Sequence, residues 1–272
     1  MPELPEVETV VRGLKKIEGK TLQAVRLHKD KWRYPVPLDA INKQIGSEVL
    51  FLKRRAKWPA IVFKEGCLWL HLGMTGQIIL YRQENLPPLA KHDHLELVFS
   101  DNIVLRFNDA RRFGVVSWTP GEDSEPPSKQ PLGFEPFDNK WTADTFYDQL
   151  SNINKNIKVT LMEGKLVVGV GNIYASESLF LSKISPLKLS KELTYEETSV
   201  LRNNIINILE MSIKHGGSTL KDHRQANGEK GAYQDNHLVY GKENKPCPVC
   251  STPILKIEQA GRSTFYCPKC QH

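Results

Sequence analysis

No run in the 272-residue chain approaches the roughly 18 consecutive apolar residues of a membrane-spanning helix, so no membrane segment is expected. The first residues include acidic side chains and no long apolar core, so a secretory leader is not expected either. No internal repeat with a period of roughly 20–50 residues is visible. The full GxGxxG pattern is missing, and the isolated Gly169-Val-Gly171 is weak evidence for a phosphate loop. Cysteine is scarce: there are five, and four of them form two Cys-x-x-Cys pairs near the C-terminus. With no leader, this usage argues against a disulfide framework and points to the cytosol. The fifth, Cys67, lies in the apolar run Cys67-Leu-Trp-Leu70 and reads as a buried structural residue.

What remains is a normal globular balance, 25% charged and 40% hydrophobic, long enough to bury a sizeable core and form two domains. The net charge of +6 suits a polyanionic partner such as nucleic acid, although many unrelated proteins are equally basic. Val7, Val10, Val11 and Leu14 fall at i, i+3, i+4 and i+7, which predicts an amphipathic helix over residues 3–16. Short apolar or alternating runs follow at 22–27, 49–52, 61–63, 68–72, 78–81, 95–99 and 103–107, several of them separated by turn signals. Strands at this spacing predict an antiparallel β-sandwich. Pro120, Gly121, Pro126, Pro127, Pro131, Gly133 and Pro136 make 119–140 an interdomain linker. Beyond it the pattern is helical. Thr194 and Glu197 form a capping box, Leu201, Ile205, Leu209 and Ile213 line one face, and Gly216-Gly217 ends the helix. A flexible loop is expected over 227–234. The fold class is therefore α+β and multidomain: a helix plus sandwich (1–118), the linker (119–140), a helical domain (141–236) and a zinc ribbon (237–272).

The N-terminus suggests chemistry. Removal of Met1 would leave Pro2 with a free secondary amine, and an α-amino group with a pKa of about 8 is partly unprotonated at neutral pH. Such an amine attacks electrophilic carbon, and proline would give a cationic iminium, a strong electron sink. Glu3 and Glu6, three residues apart, share a helix face beside it, where the helix dipole favours carboxylates. Taken singly, each of these residues also fits an ordinary acidic helix start.

Cys247-Pro-Val-Cys250 and Cys267-Pro-Lys-Cys270 bracket sixteen residues, the spacing of a four-cysteine zinc ribbon. Four thiolates close the site to water, so one structural Zn2+ is expected. Residues 240–272 hold five Lys/Arg against two Glu, which makes a basic ribbon a plausible nucleic-acid contact.

The opening octet Met-Pro-Glu-Leu-Pro-Glu-Val-Glu resembles the N-terminus of the formamidopyrimidine-DNA glycosylases, bacterial base-excision enzymes for oxidised purines. Further resemblances are spread along the chain: Lys53-Arg-Arg-Ala-Lys57, His71-Leu-Gly-Met74-Thr-Gly76, His92, Asp109-Ala-Arg111-Arg-Phe113-Gly114, Gly169-Val-Gly-Asn172 and the ribbon with Arg262. The resemblance implies a helix–two-turns–helix DNA-binding domain and a bifunctional glycosylase/lyase acting on double-stranded DNA with oxidised bases or abasic sites. It implies Pro2 as nucleophile, Glu3 as the acid for sugar opening and Glu6 as the group orienting the base or a water. Lys57 is implied as a proton-transfer residue, and Arg262 as a phosphate grip assisting the second elimination. Met74, Arg111 and Phe113 would fill the gap left by an everted nucleotide. His71, His92 and Asn172 would be DNA contacts. The everted nucleotide would enter a pocket between the domains, with the 227–234 loop as a possible cover.

Three features weigh on this reading. Trp58-Pro59 stands where an aliphatic strand is usual. The run 152–158 offers Lys155 and Lys158 among Asn152, Asn154 and Asn156, where the family often has more lysine, so non-specific DNA affinity is expected to be weaker and more salt-tolerant. Lys91-His-Asp-His94 reads as a strand entry, since it lacks further metal ligands. Two other readings stay open: an endonuclease VIII-type enzyme for oxidised pyrimidines, which Leu4-Pro5 fits less well, and a zinc-containing DNA-binding module without catalysis. A monomer in the cytoplasm, working on nucleoid DNA, is expected.

Overall fold

The computed structural model describes residues 2–29, 32–218, 226, 228, 229 and 231–272. Asn227 and Lys230, part of the expected 227–234 loop, lie outside the described residues.

The chain divides into two compact units, and the division does not follow the sequence boundaries: Met1–Lys129 groups with His215–Gln234, and Gln130–Lys214 groups with Asp235–His272. The first unit begins with helix α1 (Leu4–Leu14), followed by a short 3-10 turn, Lys15–Ile17, that ends the predicted helix. Then come β1 (Leu22–Leu27), a short α2 (Leu38–Asn42), β2 (Phe51–Arg55), β3 (Trp58–Phe63), β4 (Gly66–His71), β5 (Gly76–Arg82), β6 (Asp93–Phe99), β7 (Ile103–Asp109) and β8 (Val115–Pro120). They form two antiparallel sheets, ordered β1-β6-β7-β5 and β2-β3-β4-β8. One apolar core joins both sheets to α1. Val7, Val10, Val11 and Leu14 meet Leu95, Leu97, Leu105 and Phe107 from the first sheet and Leu52, Ile61, Leu68 and Leu70 from the second. Each fully buried side chain of this kind contributes about 1.5–3 kcal/mol relative to exposure, so α1 is held by its stripe rather than by propensity.

β3 and β4 are buried on both faces, which explains why their sequences are continuously apolar instead of alternating. Their outer face carries Ala60, Val62, Cys67 and Trp69. The chain after β8 lies against it, with Lys53 Nζ donating to the Glu122 and Ser124 carbonyls and Cys67 Sγ to those of Gly121 and Glu122. Pro59 does not prevent the strand. It stands opposite Arg54 beside a two-residue hairpin turn, one step before β3–β4 pairing starts at Ala60↔Trp69, so the missing N–H falls at a strand end.

The second unit contains α3 (Ala143–Leu150), α4 (Ile157–Met162), α5 (Asn172–Leu181), α6 (Tyr195–Lys214) and a hairpin of β9 (Leu255–Gln259) and β10 (Arg262–Tyr266). The α6 capping box is formed as predicted: Thr194 N–H donates to Glu197 Oε2 at 2.9 Å, and Glu197 N–H to Thr194 Oγ1 at 3.2 Å. Residues 119–140 are not a free connection. Their start belongs to β8, and Phe134 forms a parallel bridge with Val167, donating to the Leu166 carbonyl and accepting from Val168 N–H. Among the described residues, no helix is long and apolar enough to cross a membrane.

Candidate active site and nucleic-acid interface

Glu3 caps α1 in extended backbone, and Pro5 sits in the first turn, where its missing N–H has no helical partner to lose. Both oxygens of Glu6 accept backbone N–H groups: Oε2 from Glu3 at 2.8 Å and Oε1 from Ser218 at 2.7 Å. Glu3 is 3% exposed, Glu6 is 2% exposed, and Pro2 is also buried. One carboxylate therefore fixes the peptide that follows Pro2, and a second belongs to that same residue. Gly217 makes the approach possible: at φ +81°, a Cβ there would lie 3.1 Å from Glu6 Oε1 and 3.2 Å from its Cα.

Lys57 occupies the two-residue turn between β2 and β3, where Ala56 takes φ +54°. His71 ends β4, and its ring lies 4.7 Å from that of Trp58. Burial, followed by the positive fields of Lys57 and Arg33, pushes the His71 pKa down to about 4. Nδ1 accepts the Gly73 N–H at 3.1 Å, so the neutral ring carries its proton on Nε2 as a donor. Lys57, His71 and Arg33 thus share one electropositive corner. Sequence reasoning missed Arg33, and its neighbours Trp32, Tyr34 and Pro35 do not set it apart from a solvated loop arginine.

Met74 and Phe113 are 41% and 38% exposed, on the loop from β4 to β5 and the loop from β7 to β8. The loops touch at Gly73, where φ is +58° and a Cβ would fall 2.5 Å from the Phe113 carbonyl carbon. The exposed Arg111 places its guanidinium carbon 4.8 Å from the Phe113 ring centroid, and Arg33 lies 5.8 Å away. His92 precedes β6, half-buried, and its carbonyl accepts the Asp109 N–H at 3.0 Å. Asp93 pairs with Arg106 and Asn108, and His94 Nε2 donates to the Asp109 carbonyl, so this histidine-rich segment is a strand entry.

In the second unit, Asn172 opens α5. Its Nδ2 donates to the Ser263 carbonyl at 2.9 Å, and its Oδ1 accepts from Lys158 Nζ at 2.5 Å. A phosphate would share or displace these internal partners. Lys158 is fully buried and also donates to Thr264 Oγ1 at 2.7 Å, which ties α4, α5 and β10 together. It is therefore not one of the surface lysines that the 152–158 run suggested. Arg262 is exposed and flanks the hairpin turn, where Ala260 and Gly261 take φ +48° and +70°. Glu177, buried on α5, accepts N–H groups from Leu238, Val239 and Tyr240 at 2.7–2.9 Å. Burial raises its pKa, and these three donors oppose the rise.

The sulfur atoms of Cys247, Cys250, Cys267 and Cys270 lie within 4.8 Å of one another. Zinc–sulfur bonds of about 2.3 Å require sulfurs roughly this close. Backbone N–H groups of Val249 and Cys270 point at Cys247 Sγ and Cys267 Sγ, both at 3.4 Å, and would favour thiolates. The set fits one structural zinc ion. No other group of three or more His, Cys, Asp or Glu side chains among the described residues is placed to hold a metal.

Three family models match the chain in order: the formamidopyrimidine-DNA glycosylase N-terminal domain over residues 1–116, the H2TH domain of the same enzymes over 132–224, and the zinc finger found in FPG and IleRS over 244–272. The formamidopyrimidine-DNA glycosylase of Proteus mirabilis is 43% identical, with 100% of this chain and 98% of that protein covered. The Neisseria meningitidis enzyme of the same name is 40% identical over the full length of both. A solved structure of a mutant Lactococcus lactis FPG, in complex with a Fapy-dG containing DNA, superposes with a TM-score of 0.89 at 32% identity, covering 100% of both chains. With helix, sandwich, helical unit and zinc ribbon all matched from end to end, the chain belongs to the formamidopyrimidine-DNA glycosylase family.

Proposed function

We propose that this chain is a bifunctional DNA glycosylase and abasic-site lyase of base excision repair, excising 8-oxoguanine and formamidopyrimidines from duplex DNA through Pro2. The observation that carries the proposal is the buried carboxylate pair at the amine end, with Glu6 gripping the peptide next to Pro2. Once Met1 is removed, the Pro2 nitrogen attacks the anomeric carbon and the bond to the damaged base breaks. Glu3 gives a proton to the sugar ring oxygen as the carbon–oxygen bond opens, leaving a cationic iminium. General-acid help of this kind is worth about a hundredfold or more. The iminium acidifies the adjacent carbon. Lys57 moves that proton and the 3′ phosphate leaves. Elimination of the 5′ phosphate follows, assisted by Arg262, and water then hydrolyses the adduct and frees the amine.

Met74, Arg111 and Phe113 fill the space of the everted nucleotide. His71 and His92 contact the DNA, and Asn172 and Arg262 hold phosphates, contacts that position the duplex without reading its sequence. The zinc ion, held by Cys247, Cys250, Cys267 and Cys270, is structural and stays outside the chemistry. The enzyme works as a monomer on cytoplasmic DNA, its nucleophile and both acids coming from one unit.

The test is borohydride trapping on lesion-bearing duplex. The processed protein is expected to form a covalent complex, and its intact mass to show Met1 absent. Trapping by Pro2→Gly at the undiminished rate would assign the attack to another nucleophile. Competition between duplexes carrying 8-oxoguanine and thymine glycol checks the lesion class, with faster excision of 8-oxoguanine expected.

A further inference from the structure

We infer that Asp109 is a positioning residue that locks the two wedge loops into one rigid device for everting the damaged nucleotide. The inference rests on the proposed wedge role of Met74, Arg111 and Phe113. Asp109 ends β7 and is 0% exposed. Its carboxylate reaches both loops. Oδ1 accepts the hydroxyl of Thr75, the residue after Met74, and the Arg111 N–H at 3.2 Å. Oδ2 accepts the N–H of Gly114, the residue after Phe113, at 2.7 Å. Thr75 Oγ1 accepts the Arg111 N–H as well, at 3.0 Å, so hydroxyl, amide and carboxylate form a closed triangle. The backbone of Asp109 is held from two further sides: His94 Nε2 donates to its carbonyl at 2.7 Å, and its N–H bonds the His92 carbonyl at 3.0 Å.

Among the described residues, this carboxylate meets only a hydroxyl and backbone amides, with no cation. A buried carboxyl group held by neutral donors loses much if any of them moves away, so the arrangement resists loop opening. The surrounding space is closed too. A Cβ on Gly114 would meet the Phe107 ring at 2.7 Å and Asp109 Oδ2 at 3.0 Å. Each of the three wedge side chains lies in a residue that bonds this carboxylate or directly precedes one that does. A rigid wedge enters the stack without first paying to order its own loops, and this matters only while a stacked nucleotide must be displaced.

The test compares single-turnover rates on two duplexes of one sequence, one with 8-oxoguanine opposite cytosine and one with a pre-formed abasic site at the same position. Eversion of the abasic sugar needs little wedge. Asp109→Asn keeps the shape but replaces one acceptor oxygen by an NH2 group facing donors. It is expected to slow the 8-oxoguanine duplex about tenfold to a hundredfold, the scale of an ångström-sized misplacement, and the abasic duplex by less than about threefold. Thr75→Val, a milder change, should shift the ratio of the two rates in the same direction. Adding Asp109→Asn to Phe113→Ala should cost little more than Phe113→Ala alone, because coupled residues are non-additive. Equal slowing on both duplexes, or full additivity with Phe113→Ala, overturns the inference. A selective loss in Phe113→Ala with none in Asp109→Asn or Thr75→Val overturns the clamp alone. No selective loss in Phe113→Ala removes the wedge reading beneath it.

Discussion

Glu6 uses both carboxylate oxygens on backbone amides, one of Glu3 and one of Ser218, which lies 212 residues further along the chain. Glu6→Gln would turn one oxygen into an NH2 group facing an N–H. An unpaired buried donor costs about 1–3 kcal/mol, so the variant should melt lower and form the Pro2 adduct more slowly. Adduct formation at the normal rate would show that the peptide after Pro2 needs no such grip. His71 makes a separate prediction. Its ring titrates at about 4 in the folded chain against 6.5 for the ordinary group, lowered by burial and then by Lys57 and Arg33. As pH falls, the unfolded chain takes up this proton first. The stabilisation from a neutral buried ring is therefore complete above 6.5 and is lost between 6.5 and about 4. His237 behaves alike, lowered to about 4 by burial and then by Lys242. Melting temperature against pH should flatten over that window in His71→Gln and further in the double variant with His237→Gln. An unchanged slope would mean that these rings are not buried neutral.

At the scale of the element, the zinc ribbon packs on Phe180 of α5 and is tied to that helix by buried polar contacts. Glu177 holds three successive backbone amides at the entry to the ribbon, and Lys158 joins Asn172 of α5 to Thr264 of β10. Glu177→Ala leaves three donors to find water, and zinc release to a chelator should become several-fold faster than in the unchanged protein. Equal release rates would mean that the ribbon stands without this anchor. Little of this was legible in the residues. The ribbon itself was, because metal spacing is a local property, and so were α1 and α6, whose stripes and capping residues are local. The sandwich was readable from short runs, although β8 was not singled out and the pairing order was out of reach, since register depends on residues far apart. Glu177 was not singled out and Lys158 read as a surface lysine, because their partners lie some 60 and 106 residues away. Arg33, and the bonding role of Asp109, were hidden for the same reason: one is defined by rings and cations from other elements, the other by two loops that only the fold brings together.

At the scale of the whole molecule, the charge of +6 is less available to DNA than the count suggests. Lys158 is internal, and the exposed Lys155 pairs with Glu163 at 2.6 Å, so the run 152–158 presents Asn152 and Asn154 beside one paired lysine. Asn154→Lys should tighten non-specific binding and steepen the dependence of log K on log salt by about one unit if the new charge reaches a phosphate. An unchanged slope would place this face away from the duplex. The discontinuous first unit makes the other large-scale prediction. His215–Gln234 belongs with Met1–Lys129, and three of its contacts are specific: Ser218 N–H on Glu6, the Ala226 carbonyl accepting the Leu80 N–H at 2.9 Å, and the buried Ala226 methyl so close to Gly13 that a Cβ there would lie 2.6 Å from it. A fragment of residues 1–129 therefore lacks part of its own core. It should unfold at lower denaturant than a fragment in which a short linker joins 215–234 to it, the two lost hydrogen bonds alone accounting for about 1–3 kcal/mol each. Added in trans, a 215–234 peptide should raise the midpoint of the short fragment with increasing peptide concentration, as a ligand of the folded state must. A midpoint indifferent to the peptide would mean that the strands and α1 complete their fold without the returning segment, and that the link from Ser218 to the amine end forms only after the sandwich is already stable.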